Sequence, residues 1–213
     1  MMTPPLSPDD FAARCGVSRE TLARFQTYAD LLLRWQKAIN LVGASTLPDL
    51  WRRHFEDSAQ LFSLLPPTAR VLVDLGSGAG FPGLVLALMG VPEVHLVESD
   101  RRKATFLREA ARATGTAVTV HADRIESVPP FPADVVTSRA CAPLQDLLKL
   151  SLPFRKAGTL GLFLKGKMVN RELTRANEVW DIESTIRPSG TDPEGSILLV
   201  QEWARAENGR PAD

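Results

Sequence analysis

Cysteine is scarce in this 213-residue chain. Cys15 and Cys141 stand far apart, neither in a CxxC pair nor beside a histidine cluster. That excludes a disulfide framework and a cysteine zinc site, and fits free thiols in a reducing compartment. Net charge is missing too: 25 basic residues balance 25 acidic ones, so the chain cannot coat nucleic acid as a bulk polycation. No apolar run approaches the ~20 residues that span a bilayer. The opening MMTPPLSPDD lacks the charged and apolar regions of a secretory signal. The expected location is the cytoplasm. No internal repeat is visible, and no low-complexity segment beyond two Pro-rich ends. No Ser-His-Asp, Cys-His or paired-carboxylate arrangement stands out, and His54 has no second ligand near it, so no metal is expected. What is present is an ordinary globular composition, 44% hydrophobic and 23% charged. The length suits one domain, or one domain with an appendage, at about 100–200 residues per domain.

The pattern changes at Pro66-Pro67. Before it the chain reads as helical. Leu22, Phe25, Tyr28, Ala29, Leu32, Leu33 and Trp35 recur at three-to-four spacing, with Ser18 placed as an N-cap. A second helix is expected to start at Thr46-Leu47-Pro48 and run through Leu61. After Pro67, strand-like runs at 70–75, 93–98, 117–121, 134–138, 159–164 and 196–203 alternate with helix-like runs at 82–89, 100–114, 143–153 and 168–178. Alternation of this kind predicts an α/β fold with a mostly parallel sheet covered on both faces. Residues 179–187 are strand-like and would form an antiparallel edge hairpin with 196–203. The expected organisation is a helical extension over 1–66, a domain over 67–205 and a flexible tail over 206–213. Zero net charge hides two basic segments, 101–112 and 155–175, and an acidic stretch over 178–213.

The most informative segment is Asp74-Leu75-Gly76-Ser77-Gly78-Ala79-Gly80-Phe81-Pro82-Gly83, which follows a strand and opens a helix. Glycines there let the backbone turn tightly and approach a ligand. A dinucleotide fingerprint places its third glycine three residues after the second; here that position is Phe81. The D-x-G-x-G-x-G spacing instead resembles motif I of class I S-adenosylmethionine (SAM)-dependent methyltransferases. SAM carries a cationic amine and no phosphate, and Asp74 could offset that charge. Glu98 ends the next strand, where a carboxylate can accept protons from both ribose hydroxyls. Asp123, Arg124, Ile125 and Glu126 follow the third strand, at the turn that meets adenine in such enzymes. For Asp123 taken alone, a helix cap is the commoner role.

Arg139 ends the fourth strand, where many amino-group methyltransferases carry an Asn/Asp-Pro-Pro-aromatic turn. A cation there argues against methylation of an exocyclic amine. Lys165-Gly166-Lys167 follows the fifth strand, at the edge where such sheets bind ligands. Arg53 and His54 stand in an upstream segment unusually dense in polar groups.

In this order and spacing, NLVGAS, RHFEDSAQL, DLGSGAGFPG, DRIE, TSRA and LKGK resemble the bacterial 16S ribosomal RNA guanine-N7 methyltransferases, also called glucose-inhibited division protein B. The resemblance covers roughly residues 20–203. It implies a class I methyltransferase fold and methyl transfer from SAM to N7 of a guanine in 16S ribosomal RNA, guanine 527 for the family. It also implies SAM contacts at Gly76, Phe81, Ile125, Glu126 and Arg139, and a role in activity for Arg124. The site expected from residues and resemblance together is a cofactor set of Asp74, Gly76, Gly78, Phe81, Glu98, Asp123, Ile125, Glu126 and Arg139. Arg139 and Arg124 would position the substrate, and Arg53, His54, Lys165 and Lys167 would contact RNA. Guanine N7 carries a lone pair and no proton, so no general base is required. The expected partner is 16S RNA or a small-subunit particle, and the expected state is a monomer. One departure stands before the last strand, where the family commonly has a basic residue and this chain has Gly195-Ser196-Ile197. Two other readings are a nicotinamide-dependent oxidoreductase on a similar fold and a non-enzymatic RNA-binding module with a disused cofactor site.

Overall fold

Runs such as Val71–Leu75 and Val135–Arg139 are short, apolar and rich in β-branched residues, a composition that favours extended chain. In the computed structural model, which describes residues 4–206, they pair side by side at the centre of a seven-stranded sheet. The strands are β1 Val71–Leu75, β2 Glu93–Val97, β3 Thr119–His121, β4 Val135–Arg139, β5 Leu160–Lys165, β6 Trp180–Pro188 and β7 Ser196–Arg205. Their order is β3-β2-β1-β4-β5-β7-β6. The first five are mutually parallel, and β7 runs antiparallel to both β5 and β6. The antiparallel edge hairpin is therefore present. Of the expected tail, residues 207–213 lie outside the described residues.

The helices are α1 Pro8–Cys15, α2 Arg19–Gln36, α3 Asp57–Ala59, α4 Gly83–Leu88, α5 Arg101–Thr114, α6 Leu144–Ser151 and α7 Val169–Ala176. Alternate strand residues feed two apolar layers, as the two-residue side-chain period requires. Leu72, Val94, Leu96, Val135 and Leu162 join the N-terminal helices, α4 and α5 on one face. Val73, Leu75, Val97, Val136 and Phe163 join α6, α7 and the edge strands on the other. The N-terminal helices thus share a core with the sheet. Tyr28 of α2 stacks on Phe81 with ring centroids 5.5 Å apart, and its hydroxyl donates to the Ala79 carbonyl, tying the extension to the Gly-rich turn.

Two local expectations are corrected. The chain over 46–61 does not form one α-helix. It forms a 3₁₀ turn over Ala44–Asp49, a π-helical turn over Trp51–Glu56 and the short α3. Pro48 lies inside the 3₁₀ turn, and Arg139 Nη1 reaches in to the Arg53 carbonyl at 3.2 Å, competing with the regular helical ladder. Single π turns of this kind recur at functional sites. The first helix, α1, was not anticipated. Ser7 caps it by accepting from Asp10 N at 3.1 Å, Pro8 opens it, and Gly16 closes it in the left-handed region.

Candidate functional site

The carboxyl ends of β1 to β5 all emerge at one edge, and the order reverses between β1 and β4. Ligands of open α/β sheets bind in the crevice at such a point. Two cavities lie there. The first, about 620 Å³, is built from the β1–α4 turn, the ends of β2 and β4, and the turn after β3. Gly76, Gly78, Phe81, Glu98, Asp123, Arg124, Ile125, Glu126, Arg139 and His54 all line it. Residues distant in sequence thus meet on one surface.

Positive φ explains two of the glycines. Gly76 lies at φ +69°, and a Cβ there would sit 2.5 Å from Cys141 Sγ; Gly78 lies at φ +57° with no atom nearer than 3.9 Å to its missing Cβ. The first is required by packing, whereas the second leaves open space toward the cavity. Glu98 is buried, and its oxygens accept from Gly78 N at 2.8 Å and Asp100 N at 2.7 Å. An ionised carboxylate has lone pairs to spare for further donors, so Glu98 can order the turn and still face a ribose.

Asp74 is a correction. It does not line the cavity; fully buried behind the turn, it accepts from Gly83 N at 3.2 Å and Thr137 Oγ1 at 2.8 Å. Burial pushes its pKa up to about 6, opposed by those hydrogen bonds. Its place is fixed by register: Asp74 pairs with Thr137 across β1 and β4, so their side chains share a face. It shapes the turn from within, and burial rather than any lack of lone pairs keeps it from the cavity.

Arg139 occupies the junction between elements. Nη1 donates to the Arg53 carbonyl at 3.2 Å and pairs with Asp57 at 3.4 Å. Nη2 lies 2.8 Å from His54 Nδ1, and the guanidinium stands 4.9 Å over the Phe81 ring. A guanidinium only donates, so Nδ1 must accept, and the imidazole proton sits on Nε2. That nitrogen donates to Thr46 Oγ1 at 2.7 Å, and the Thr46 hydroxyl in turn donates to the Gly43 carbonyl at 2.6 Å. Burial, then the charges of Arg139 and Arg53, push the His54 pKa down to about 3. His54 is therefore a buried neutral imidazole that orients Arg139, with both ring nitrogens already committed within the chain.

Lys165, expected to contact RNA, lines the second cavity but is already committed to partners within the chain. Its Nζ donates to Glu172 at 2.8 Å and to the Ala142 carbonyl at 3.1 Å, and the side chain is only 8% exposed. Glu172 also accepts from Leu144 N at 2.9 Å. The pair clamps the segment after β4, where Ala140 adopts φ +52°, the one positive φ outside glycine among the described residues. Such an alanine costs on the order of 1–2 kcal/mol, and the clamp offsets it. Replacing Lys165 by Met should cost about 1–3 kcal/mol of stability, as expected for a buried acceptor left unpaired. It should leave the salt dependence of RNA binding unchanged. A slope flattened by about 0.7 with full stability would instead make Lys165 a phosphate contact.

Of the remaining expected residues, Arg53 pairs with Asp192 at 2.9 Å and lines neither cavity, while Lys167 is exposed, 4.0 Å from Glu194. The sequence reasoning missed the wall made by Leu41, Val42 and Gly43. The Gln36 side chain holds it by accepting from Leu41 N and Val42 N and donating to the Val42 carbonyl. The NLVGAS stretch was the available signal.

A second cavity of about 770 Å³ opens on the β5 side, lined by Lys165, α7 and the β6–β7 connection. Arg139, Ala140, Cys141 and Ala142 line both cavities, so a single stretch after β4 forms their common wall.

The sheet order, the Gly-rich β1–α4 turn and the acid closing β2 define a class I SAM-dependent methyltransferase fold. Solved structures agree in fold. The ribosomal protein L11 methylase of Lactobacillus delbrueckii subsp. bulgaricus superimposes with a TM-score of 0.57 at 14% identity, covering 73% of this chain and 79% of that one. The O-methyltransferase of Bacillus cereus in complex with S-adenosylhomocysteine gives 0.56 at 15% identity, covering 83% and 91%. Sequence narrows the class. The chain belongs to the rRNA small subunit methyltransferase G (GidB) family, whose model matches residues 21–191. The protein named ribosomal RNA small subunit methyltransferase G in Rhodospirillum rubrum is 56% identical, covering 94% of this chain and all of that protein. The one so named in Rhodospirillum centenum is 57% identical, covering 94% and 93%. No helix among the described residues is long and apolar enough to cross a membrane, and no cluster of metal-ligating side chains is found there.

Proposed function

We propose that this protein transfers the methyl group of SAM to N7 of a guanine in 16S ribosomal RNA, the family's guanine 527. The observation that carries this reading is the shared wall: Arg139–Ala142 faces the glycine-turn cavity on one side and a second cavity on the other. The first cavity suits SAM. Its volume lies in the range of small-molecule sites, Glu98 can take the ribose hydroxyls, and Ile125 offers an apolar face beside Asp123 and Glu126. Bound there, SAM would supply an electrophilic methyl on a sulfonium.

The protein's part is then positioning and electrostatics. Hydrogen bonding to N7 would occupy the lone pair that must attack, so Arg139 serves by holding O6. Three of its five N–H donors are taken by Arg53, Asp57 and His54; the other two have no partner among the described residues. Arg124 lies exposed on the rim of the first cavity, where it can engage RNA, and Arg53 and Lys167 are exposed near the second. The substrate in this reading is 16S RNA or a small-subunit particle, and the enzyme is read as a monomer.

With no proton on N7 and His54 neutral, the single-turnover rate should be flat from about pH 6.5 to 8.5. A log-rate slope near one in that window would contradict a base-free transfer. The function itself is tested by methyl transfer from labelled SAM to naked 16S RNA and to small-subunit particles. Label in either supports it. Label in neither, with S-adenosylhomocysteine still bound, would leave an RNA-binding module. Binding of NADH but not S-adenosylhomocysteine would point to the oxidoreductase.

A further inference from the structure

The second cavity, at about 770 Å³ against about 620 Å³ for the first, is left unassigned by the cofactor reading. One wall is the clamped segment after β4. The facing wall is α7, which presents Met168, Arg171 and Arg175 at i, i+3 and i+7, a single ridge. Met168 is 43% exposed, one of four large hydrophobic side chains so exposed among the described residues.

Charge decides what this cavity attracts. Its acids are already matched: Asp57 accepts from Thr191, Gln60 and Arg139, Asp192 pairs with Arg53 and accepts from Glu194 N, and Glu172 is held by Lys165 and Leu144 N. Arg171 and Arg175 form no ion pair or side-chain hydrogen bond among the described residues. The face therefore carries two uncommitted guanidinium groups beside an exposed thioether and a cavity of about 770 Å³. Arginine forks suit phosphate, and a thioether packs on an aromatic face.

We propose that the second cavity receives the target nucleotide of the RNA, splayed out of its strand, with Met168 against the purine face and Arg171 and Arg175 on the phosphates that flank it. This rests on the methyltransferase reading and adds the RNA-binding site to it. A base in an intact A-form helix is out of reach of side chains, so single-stranded or locally opened RNA is the form recognised. The extruded base would meet the cofactor cavity across Arg139–Ala142.

The test compares wild type, Arg171→Ala/Arg175→Ala and the equal-charge control Arg19→Ala/Arg112→Ala. The control residues lie at the start of α2 and near the end of α5 and line neither cavity. Binding of a 16S RNA fragment is measured from 50 to 200 mM salt, with S-adenosylhomocysteine affinity alongside. Each lost phosphate contact on single-stranded RNA should flatten the slope of log K against log salt by about 0.7. The cavity double variant should therefore lose about 1.4, with cofactor affinity intact, and the control should match wild type. In parallel, RNA carrying 6-thioguanosine at the methylated position should photocrosslink to residues 139–143 or 165–175. A cavity variant with the wild-type slope, or crosslinks only elsewhere, overturns the proposal while wild type still methylates RNA. Failure of wild type itself to methylate RNA overturns the functional reading, and this site with it.

Discussion

Arg139→Lys should lower the single-turnover methylation rate about 10–100-fold at saturating RNA and SAM. An ammonium cannot span the Arg53 carbonyl, Asp57 and His54 while still presenting donors to a substrate. Hydrogen bonds to charged groups contribute about 1.5–3 kcal/mol, and each 1.4 kcal/mol is about tenfold in rate. Phe81 would also lose the planar cation stacked over its ring. Because the charge is kept, low-salt RNA affinity should change little, which separates positioning from bulk attraction. Equal rates for variant and wild type would reduce Arg139 to a general cation.

Gly78→Asn should weaken S-adenosylhomocysteine binding at least 100-fold, about 2.7 kcal/mol, in a protein that still folds. The site accepts the backbone demand: φ is +57°, and Asn tolerates the left-handed region better than a β-branched residue does. The first atom of the new side chain clashes with nothing, since no neighbour lies within 3.9 Å of a Cβ there. The rest of it must then extend into the cavity the cofactor would occupy. Gly76→Ala would be a poorer test, because its Cβ meets Cys141 Sγ at 2.5 Å and perturbs the segment after β4 directly. Calorimetric titration decides the matter; a folded Gly78→Asn protein with unchanged affinity would remove this turn from the site.

These two residues also show what was legible in the sequence. Buried parallel strands announce themselves as short apolar runs, and the glycine spacing after β1 places a ligand turn at a known edge. The antiparallel hairpin was readable from two strand-like runs separated by a turn-rich stretch. Side-chain allegiance was not readable. Lys165 and Lys167 look alike in LKGK, yet Lys165 points to Glu172 on the next helix and Lys167 lies in solvent. Asp74 resembles a ligand for a cationic amine until register sets it against Thr137. His54 reads as a free polar group until Thr46 and Arg139 close on its two nitrogens. The π turn is unreadable for the same reason, since the Arg53 carbonyl within it takes a donor 86 residues away on β4. The helix α1 was different: Ser7-Pro8-Asp9-Asp10 and Gly16 are ordinary start and stop signals, masked by the Pro-rich composition around them.

If the acceptor is N7 of one guanine in 16S RNA, as proposed, the methylated product can be read by position. N7-methylation leaves the guanine cleavable by borohydride and aniline, so primer extension on 16S RNA reads its position directly. RNA from cells with an intact gene should give one strong stop, absent when the gene is deleted and restored by wild type but not by Gly78→Asn. The same stop in both strains, or label from SAM incorporated without any stop, would contradict the account.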